Sequence, residues 1–348
     1  MAVVSFKCPN CDGELIFDPA TQKYKCEYCV SIFTQEELDN MQREESTEKE
    51  VGASSGSMSE AKLYTCPSCG AEIVTDATTA ATFCYYCHNP VILGGRLEGE
   101  YLPDKIIPFE ITKEDAVKKF LEYVGRKKFV PKAFFSKQQI ESITGVYFPY
   151  WNYSAKVEGA MQGEGRKIRN WTTGNLRYTE TKFYNVRREG VISLTNMTEN
   201  ALQKANADLA RGVMPYNFDK MQDFNMGYLS GFFAEKRDIE KDGLADKMQA
   251  NARTYAEKML RDTIDNYSSV SIANSSMRLR IEDWEYCLLP VWTITYKGRN
   301  GKIYYYSMNG QTGEVCGELP VDHKKLALVS GAVSAAILIL GLMGGFLS

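Results

Sequence analysis

Apolar positions show three textures along this chain. Through the first hundred residues they are sparse and gather in short clusters around paired cysteines. From about Glu100 they reach the density of a packed domain, and from Leu326 to Leu347 they become continuous. That last run, LALVSGAVSAAILILGLMGGFL, has 22 residues with no charge and no proline. A helix of that length rises ~33 Å, enough to cross a ~30 Å hydrocarbon core. The pattern predicts a transmembrane helix over 326–347. Lys324 and Lys325 precede it. The preference for positive residues on the inner side then predicts a single-pass cell-membrane protein, anchored by its tail, with a cytoplasmic N-terminus.

Within residues 100–320 both periodicities occur. Thr112 can cap a helix whose Val117, Phe120, Leu121 and Val124 share a face, with Gly125 at its end. A longer helix is expected over Gly243–Asn266, with Met248, Ala252, Tyr255, Met259 and Leu260 on one side. Weaker helical patterns cover Glu199–Arg211 and Met221–Glu235. The segment Gly145–Trp151 begins a β-rich stretch to about Thr195, in which Tyr178–Val186 and Val191–Leu194 are strand candidates. Val291–Tyr296, Lys302–Met308 and Glu314–Gly317, joined by a Lys-Gly-Arg-Asn-Gly turn and by Asn309-Gly310, read as a three-stranded antiparallel meander. Phe148-Pro-Tyr-Trp151 and Leu289-Pro-Val-Trp292 share a pattern that hints at two related β halves with helices between them. The aromatic stripe is assigned to core packing, and Cys287 and Cys316 to buried small apolar positions.

Eight of the ten cysteines form four C-x-x-C pairs. Cys8/Cys11 and Cys26/Cys29 are separated by 14 residues, and so are Cys66/Cys69 and Cys84/Cys87. CPNCDGELIFD aligns with CPSCGAEIVTD, which marks an internal duplication. Each copy is expected to be a ribbon clamping one structural Zn²⁺ through four thiolates, two ions in all. Modules of this size hold too few large apolar side chains to fold by burial alone, and closed four-thiolate coordination leaves no catalytic position. Cys84-Tyr-Tyr-Cys87-His88 also fits a haem-attachment pattern, but that chemistry belongs outside the cytoplasm, and Cys66/Cys69 supply a partner pair. Redox C-x-x-C motifs come singly between a strand and a helix, unlike these four. Residues 36–60 hold eight acidic and two basic side chains and a Gly/Ser tract. After a short helix near Gln35–Glu45, this segment reads as a flexible linker that lets the ribbons move independently.

The expected class is therefore multidomain α+β: zinc ribbon 1–35, linker 36–60, zinc ribbon 61–95, a mixed α+β domain 100–320 with antiparallel sheet, and the helix 326–347. The chain lacks P-loop, G-x-S-x-G, H-E-x-x-H and kinase signatures, and has only His88 and His323, so a non-enzymatic role is expected. Nucleic-acid binding is disfavoured because residues 1–35 carry four acidic and three basic residues, and 61–95 two and one. The basic patch Arg166-Lys-Ile-Arg169-Asn-Trp171 with Arg177 reads either as a solvated β-turn or as a contact for a phosphate or lipid headgroup. Gly341-x-x-x-Gly345 and Gly331-x-x-x-Ala335 permit close helix pairing, hence a homo- or hetero-oligomer.

The paired ribbons, the Gly145-Val-Tyr-Phe-Pro-Tyr-Trp151 segment, the ending Asn309-Gly-Gln-Thr-Gly313-Glu-Val-Cys-Gly-Glu-Leu-Pro320 and the apolar tail resemble the bacterial TFIIB-type zinc-ribbon membrane proteins of Firmicutes over nearly the whole chain. Such proteins often carry a primosomal-helicase label, whose nucleotide-binding motif is missing from this sequence. The resemblance implies a membrane-attached adaptor in envelope-stress systems, associated with phage-shock-A-like and SPFH proteins. It carries Cys8, Cys11, Cys26 and Cys29 over to one zinc and Cys66, Cys69, Cys84 and Cys87 to the other, and no catalytic residue. Val30 departs from the glycine usual after the last cysteine.

Overall fold

The computed structural model describes residues 3–4, 7–45, 62–65, 72–75, 79–83, 90–93, 97, 99–131, 134, 136, 140–203, 212–297 and 302–346. The Gly/Ser part of the expected linker and most of the helix expected over Glu199–Arg211 lie outside them. The chain forms two compact units, one from Met1–Phe148, Lys204–Lys236 and Leu288–Ser348, the other from Pro149–Gln203 and Arg237–Cys287. The span 100–320, expected as one domain, is thus divided between both.

The first unit begins with β1 (Val3–Val4), then β2 (Leu15–Asp18), β3 (Lys23–Cys26) and β4 (Ile32–Phe33), of which the last three make an antiparallel sheet. Helix α1 (Gln35–Glu45) follows. Its start is a reciprocal capping box: Thr34 Oγ1 accepts from the Glu37 amide at 3.3 Å while Glu37 Oε2 accepts from the Thr34 amide at 2.8 Å. Next come the hairpin β5 (Lys62–Thr65) and β6 (Glu72–Thr75), and a second hairpin, β7 (Thr79–Phe83) and β8 (Pro90–Leu93), to which β1 adds antiparallel. β9 (Lys105–Ile106) leads to helix α2 (Lys113–Gly125), capped by Thr112, which accepts from the Asp115 amide at 3.2 Å. That helix buries Ala116, Phe120 and Val124, and Leu121 faces solvent instead of sharing the buried face.

Two long strands pass from one unit into the other. β10 (Thr144–Thr173) starts in the first, where Val146 and Tyr147 pair in parallel with Phe233 and Ala234. Its continuation pairs antiparallel with β11 (Leu176–Asn200) in the second unit. The region Met221–Glu235, expected as a helix, is β12 (Gln222–Asp223), a 3-10 turn at Met226–Leu229, and β13 (Phe233–Glu235). The break has a local cause. Asn225 turns its side chain back to accept from the Gly227 amide at 2.8 Å, and Gly231 adopts φ +89°, so no helical repeat survives. After helix α3 (Lys241–Asp262), β14 (Ser269–Lys297) returns to the first unit, where its end pairs with β15 (Ile303–Asn309) and β15 with β16 (Val315–Gly317). This is the expected meander.

Aromatic rings fill the core of the first unit. Phe109 stacks on Phe232 at 4.3 Å and 8°, with Tyr147 and Trp292 against its edges. Trp292 Nε1 donates to the Ile111 carbonyl at 3.0 Å, so its polar atom is satisfied in the interior. Buried Asn309 holds the last turn: its amide donates to the carbonyls of Val213 and Pro215, and its oxygen accepts from the amides of Gln311 and Thr312.

In the second unit the hairpin β10–β11 runs from Tyr150↔Asn200 to Thr173↔Leu176 with one irregularity, between Tyr153 and Ala155. The two strand candidates at 178–186 and 191–194 are parts of this single β11, and Glu199 and Asn200 extend it instead of beginning a helix. Helix α3 packs on β11 and buries Leu244, Met248, Ala252, Ala256 and Leu260, leaving Tyr255 and Met259 exposed. Arg237 is buried with its guanidinium 5.0 Å from the Trp151 ring and 4.9 Å from Tyr286, and pairs with Glu240 at 3.0 Å.

The chain ends in helix α4 (His323–Phe346). It begins three residues before the expected span because Asp322 caps it, accepting from the Lys325 amide at 3.1 Å. One turn after another is exposed, Leu328, Ile337 and Leu340 included. The helix is long and apolar enough to cross a membrane.

Candidate metal centre

Two knuckles close the first cysteine quartet. In the first, the Cys8 amide donates to the Gly13 carbonyl at 2.6 Å and the Asp12 amide to the Cys8 carbonyl at 2.8 Å. In the second, the Cys26 amide donates to the Ser31 carbonyl at 2.9 Å and the Val30 amide to the Cys26 carbonyl at 3.1 Å. Such turns aim both sulfurs of each pair at one point. The four Sγ atoms lie within 4.8 Å of one another, with Cys8–Cys29 and Cys11–Cys26 at 3.5 Å. A tetrahedron of ~2.3 Å zinc–sulfur bonds has edges of about 3.8 Å, so the donor set fits a zinc ion. All four are free thiols; Cys8 and Cys26 are buried, Cys11 and Cys29 exposed.

The electrostatics point the same way. The side chain and backbone of Ser31 pull the Cys29 thiol down to about 6. Cys11 is pushed up to about 12: the Gly13 backbone lowers it, but the facing Cys29 and Cys26 sulfurs together raise it more. Sulfurs this close resist ionising together unless a cation sits among them, and a bound dication deprotonates them outright. Gly13 completes the enclosure, since a Cβ there would stand 3.2 Å from both Cys11 Sγ and Cys26 Sγ and 2.7 Å from the Tyr28 ring.

This ribbon does not hang free on a tether. Phe17 meets Tyr228 edge-on at 5.1 Å, Tyr24 lies 6.5 Å from the same ring, and the Ser230 hydroxyl donates to the Leu15 carbonyl. Tyr24 also donates to Gln35, tying α1 to the ribbon. The sequence pattern predicts ribbons that move independently and gives no sign of this dock. Its other half lies some two hundred residues away (215 between Leu15 and Ser230), beyond any local pattern.

No family model matches the chain, and no solved structure matches it. It is 31% identical to the uncharacterized protein YdjG of Bacillus subtilis (strain 168), over 99% of this chain and 100% of that protein. The chain belongs to the YdjG family.

In this YdjG-family chain the second quartet, Cys66, Cys69, Cys84 and Cys87, lies outside the described residues, as does His88. The strands beside it are described, and they repeat the first copy's register. Lys7 bridges Glu14 around Cys8–Cys11, and Thr65 pairs with Glu72 around Cys66–Cys69 at the same offsets. Lys25 pairs with Ile32 around Cys26–Cys29, and Phe83 with Pro90 around Cys84–Cys87, again at the same offsets. The β7–β8 hairpin is also built into the first unit, with Ala80, Ala81, Val91, Ile92 and Leu93 buried. Cys287 is buried in β14 and Cys316 half-buried in β16.

The residue after each knuckle's last cysteine takes a left-handed conformation, Asp12 at φ +58° and Val30 at φ +62°. Aspartate tolerates this region. A β-branched valine pays ~1–2 kcal/mol there, against a glycine entropy cost of ~0.5–1 kcal/mol. Val30→Gly is therefore expected to stabilise the ribbon by about 0.5–1 kcal/mol, read as slower metal loss to a competing chelator. Unchanged or faster loss would remove the strain argument.

Proposed function

We propose that this protein is a membrane-anchored, cytoplasm-facing zinc-ribbon adaptor that docks partner proteins at the membrane. In this reading both ribbons hold structural zinc, the second through Cys66, Cys69, Cys84 and Cys87, and neither does chemistry. The observation that carries it is on the second knuckle of the first ribbon. Tyr28, Val30 and Ile32 are 71, 63 and 54% exposed, while the opposite side of the ribbon is fixed on Tyr228 and Ser230. Apolar groups presented on a rigid, metal-held turn are suited to a protein partner, and the left-handed backbone at Val30 supports an exposed role there. Near-neutral ribbons offer no phosphate-neutralising surface, which supports protein over nucleic acid. The family resemblance supports SPFH and phage-shock-A-like proteins as partners and envelope stress as the setting.

A mild-detergent pull-down of full-length protein from its own membranes tests this, beside a Tyr28→Ser/Ile32→Ser variant and a variant with both quartets changed to serine. The adaptor reading expects specific proteins with the wild type and at least a ten-fold loss (about 1.4 kcal/mol) in both variants. Partners retained by both variants, or nucleic acid recovered in place of protein, would overturn it.

A further inference from the structure

Beyond Gly165 the β10–β11 hairpin stops burying residues, and its outer end carries an unusual charge. Residues 166–184 hold five basic side chains and one acidic, a net of +4 in a chain whose total is −3. Register separates its two faces. On one, proceeding outward, the pairs are Lys167↔Lys182, Arg169↔Glu180, Trp171↔Tyr178 and Thr173↔Leu176. Lysines directly opposite one another repel. Among the described residues Lys167 has no ion pair; its ammonium lies 5.6 Å from the rings of both Tyr184 and Tyr267. Glu180 is the sole carboxylate in the segment and pairs with Lys182 at 3.4 Å. These groups line an open cavity of about 480 Å³, bounded by Lys167, Arg169, Lys182, Tyr184 and Tyr267. Three cations therefore converge with one carboxylate among them.

The end of the hairpin is apolar. Trp171 and Tyr178 stack at 5.5 Å and 11°, and are 41 and 42% exposed. Leu176 is 63% exposed at the turn, and Ile168 and Phe183 on the other face are 46 and 60% exposed. The lysine pair and the Arg169–Glu180 pair sit behind an aromatic pair and an aliphatic tip, each level ~6.7 Å from the next. This order matches a bilayer interface, where Trp and Tyr occupy the headgroup level and Lys and Arg meet anionic phosphates.

We infer that the hairpin tip is a second membrane contact, which docks on anionic phospholipid. Headgroup phosphates are held by Lys167, Arg169 and Lys182, and Trp171 and Leu176 enter the interface. Nucleic acid fits less well: Trp171 and Tyr178 cover each other's ring faces instead of offering them to bases, and Leu176 has nothing to stack with. The inference rests on the membrane placement of α4 and is independent of ribbon docking.

The test uses the full chain in nanodiscs of phosphatidylcholine alone or of an equimolar phosphatidylcholine–phosphatidylglycerol mixture. Acrylamide quenching of Trp171 is read as the difference between wild type and Trp171→Phe. In the anionic discs quenching is expected to fall at least three-fold, and to recover at high salt. Lys167→Gln and Lys182→Gln should each weaken the tip's affinity for the anionic surface by about five-fold, read as protection lost at a lower salt concentration than in the wild type. Because these side chains are exposed, circular dichroism and metal content should stay at wild-type values. Equal quenching in both discs would overturn the inference. So would protection produced in neutral discs by inorganic phosphate or single-stranded DNA, which would reassign the cations to a soluble anion or to nucleic acid. Full-length protein whose ribbons are disabled should still respond to the anionic discs; loss of the response there would tie the effect to the ribbons and overturn it too.

Discussion

Protein carrying Cys8→Ser and Cys11→Ser is expected to purify with one zinc per chain fewer than the wild type, and with residues 7–34 open to hydrogen exchange and protease. The effect should be large because little else holds this segment. Its interior is Leu15, Phe17, Tyr24 and Phe33 on three short strands, the last only two residues long. Burial of four side chains does not offset the conformational entropy of ordering 28 residues. Structural zinc supplies on the order of 10–16 kcal/mol in modules of this size, so metal and fold should be lost together. The contacts of Phe17 and Tyr24 with Tyr228 would go with them. The matched Cys66→Ser/Cys69→Ser protein should also hold one zinc fewer, and the combined variant none. Metal content measured by mass spectrometry decides this: a wild-type zinc content in the first variant would disprove the assignment.

The second large effect lies in α4. Ile337→Arg with Leu340→Arg places two charges in the apolar run, at ~2.5–3.5 kcal/mol each near a bilayer centre. The pair is expected to cost ~5–7 kcal/mol of insertion and to move the protein from the membrane pellet, after carbonate washing, to the supernatant or to aggregates. Ile337→Leu with Leu340→Ile keeps the hydrophobicity and should leave the pellet fraction unchanged. Retention of the arginine protein in the pellet would contradict a spanning role for this helix.

How far the sequence could be read depended on whether the governing interaction was local. Cysteine spacing revealed the first four-thiol cluster because each knuckle is one short turn, and the recurrence of register at Thr65↔Glu72 and Phe83↔Pro90 follows from the same duplication. The alternation through Val291–Tyr296 and the Asn309-Gly310 turn disclosed the meander, since one face of those strands is buried. Helix α3 was found within a few residues at each end, but Tyr255 and Met259 were placed on its buried side. An apolar stripe drawn from 3.6-residue spacing is wider than the face that β11 covers, and Ala256 was the better member. The far half of the hairpin shows no alternation because both its faces are exposed, so its pattern predicts only short strands between turns. Met221–Glu235 has helical apolar spacing, and Asn225 and Gly231 override it. The dock for the first ribbon was invisible because Tyr228 and Ser230 belong to that misread segment.

That dock also sets a timetable for synthesis. Leu15 and Ser230 are 215 residues apart in the chain. At roughly 5–20 residues per second, about 10–40 s pass between the emergence of the first ribbon and that of the surface it rests on. During that interval the nascent ribbon has its own four thiols and no neighbour to shield Phe17 and Tyr24. Free metal at the ribosome, more than any later encounter, then decides whether those rings wait in an ordered module or are exposed to other chains. A cell short of zinc should therefore lose this protein at birth, while molecules completed beforehand persist.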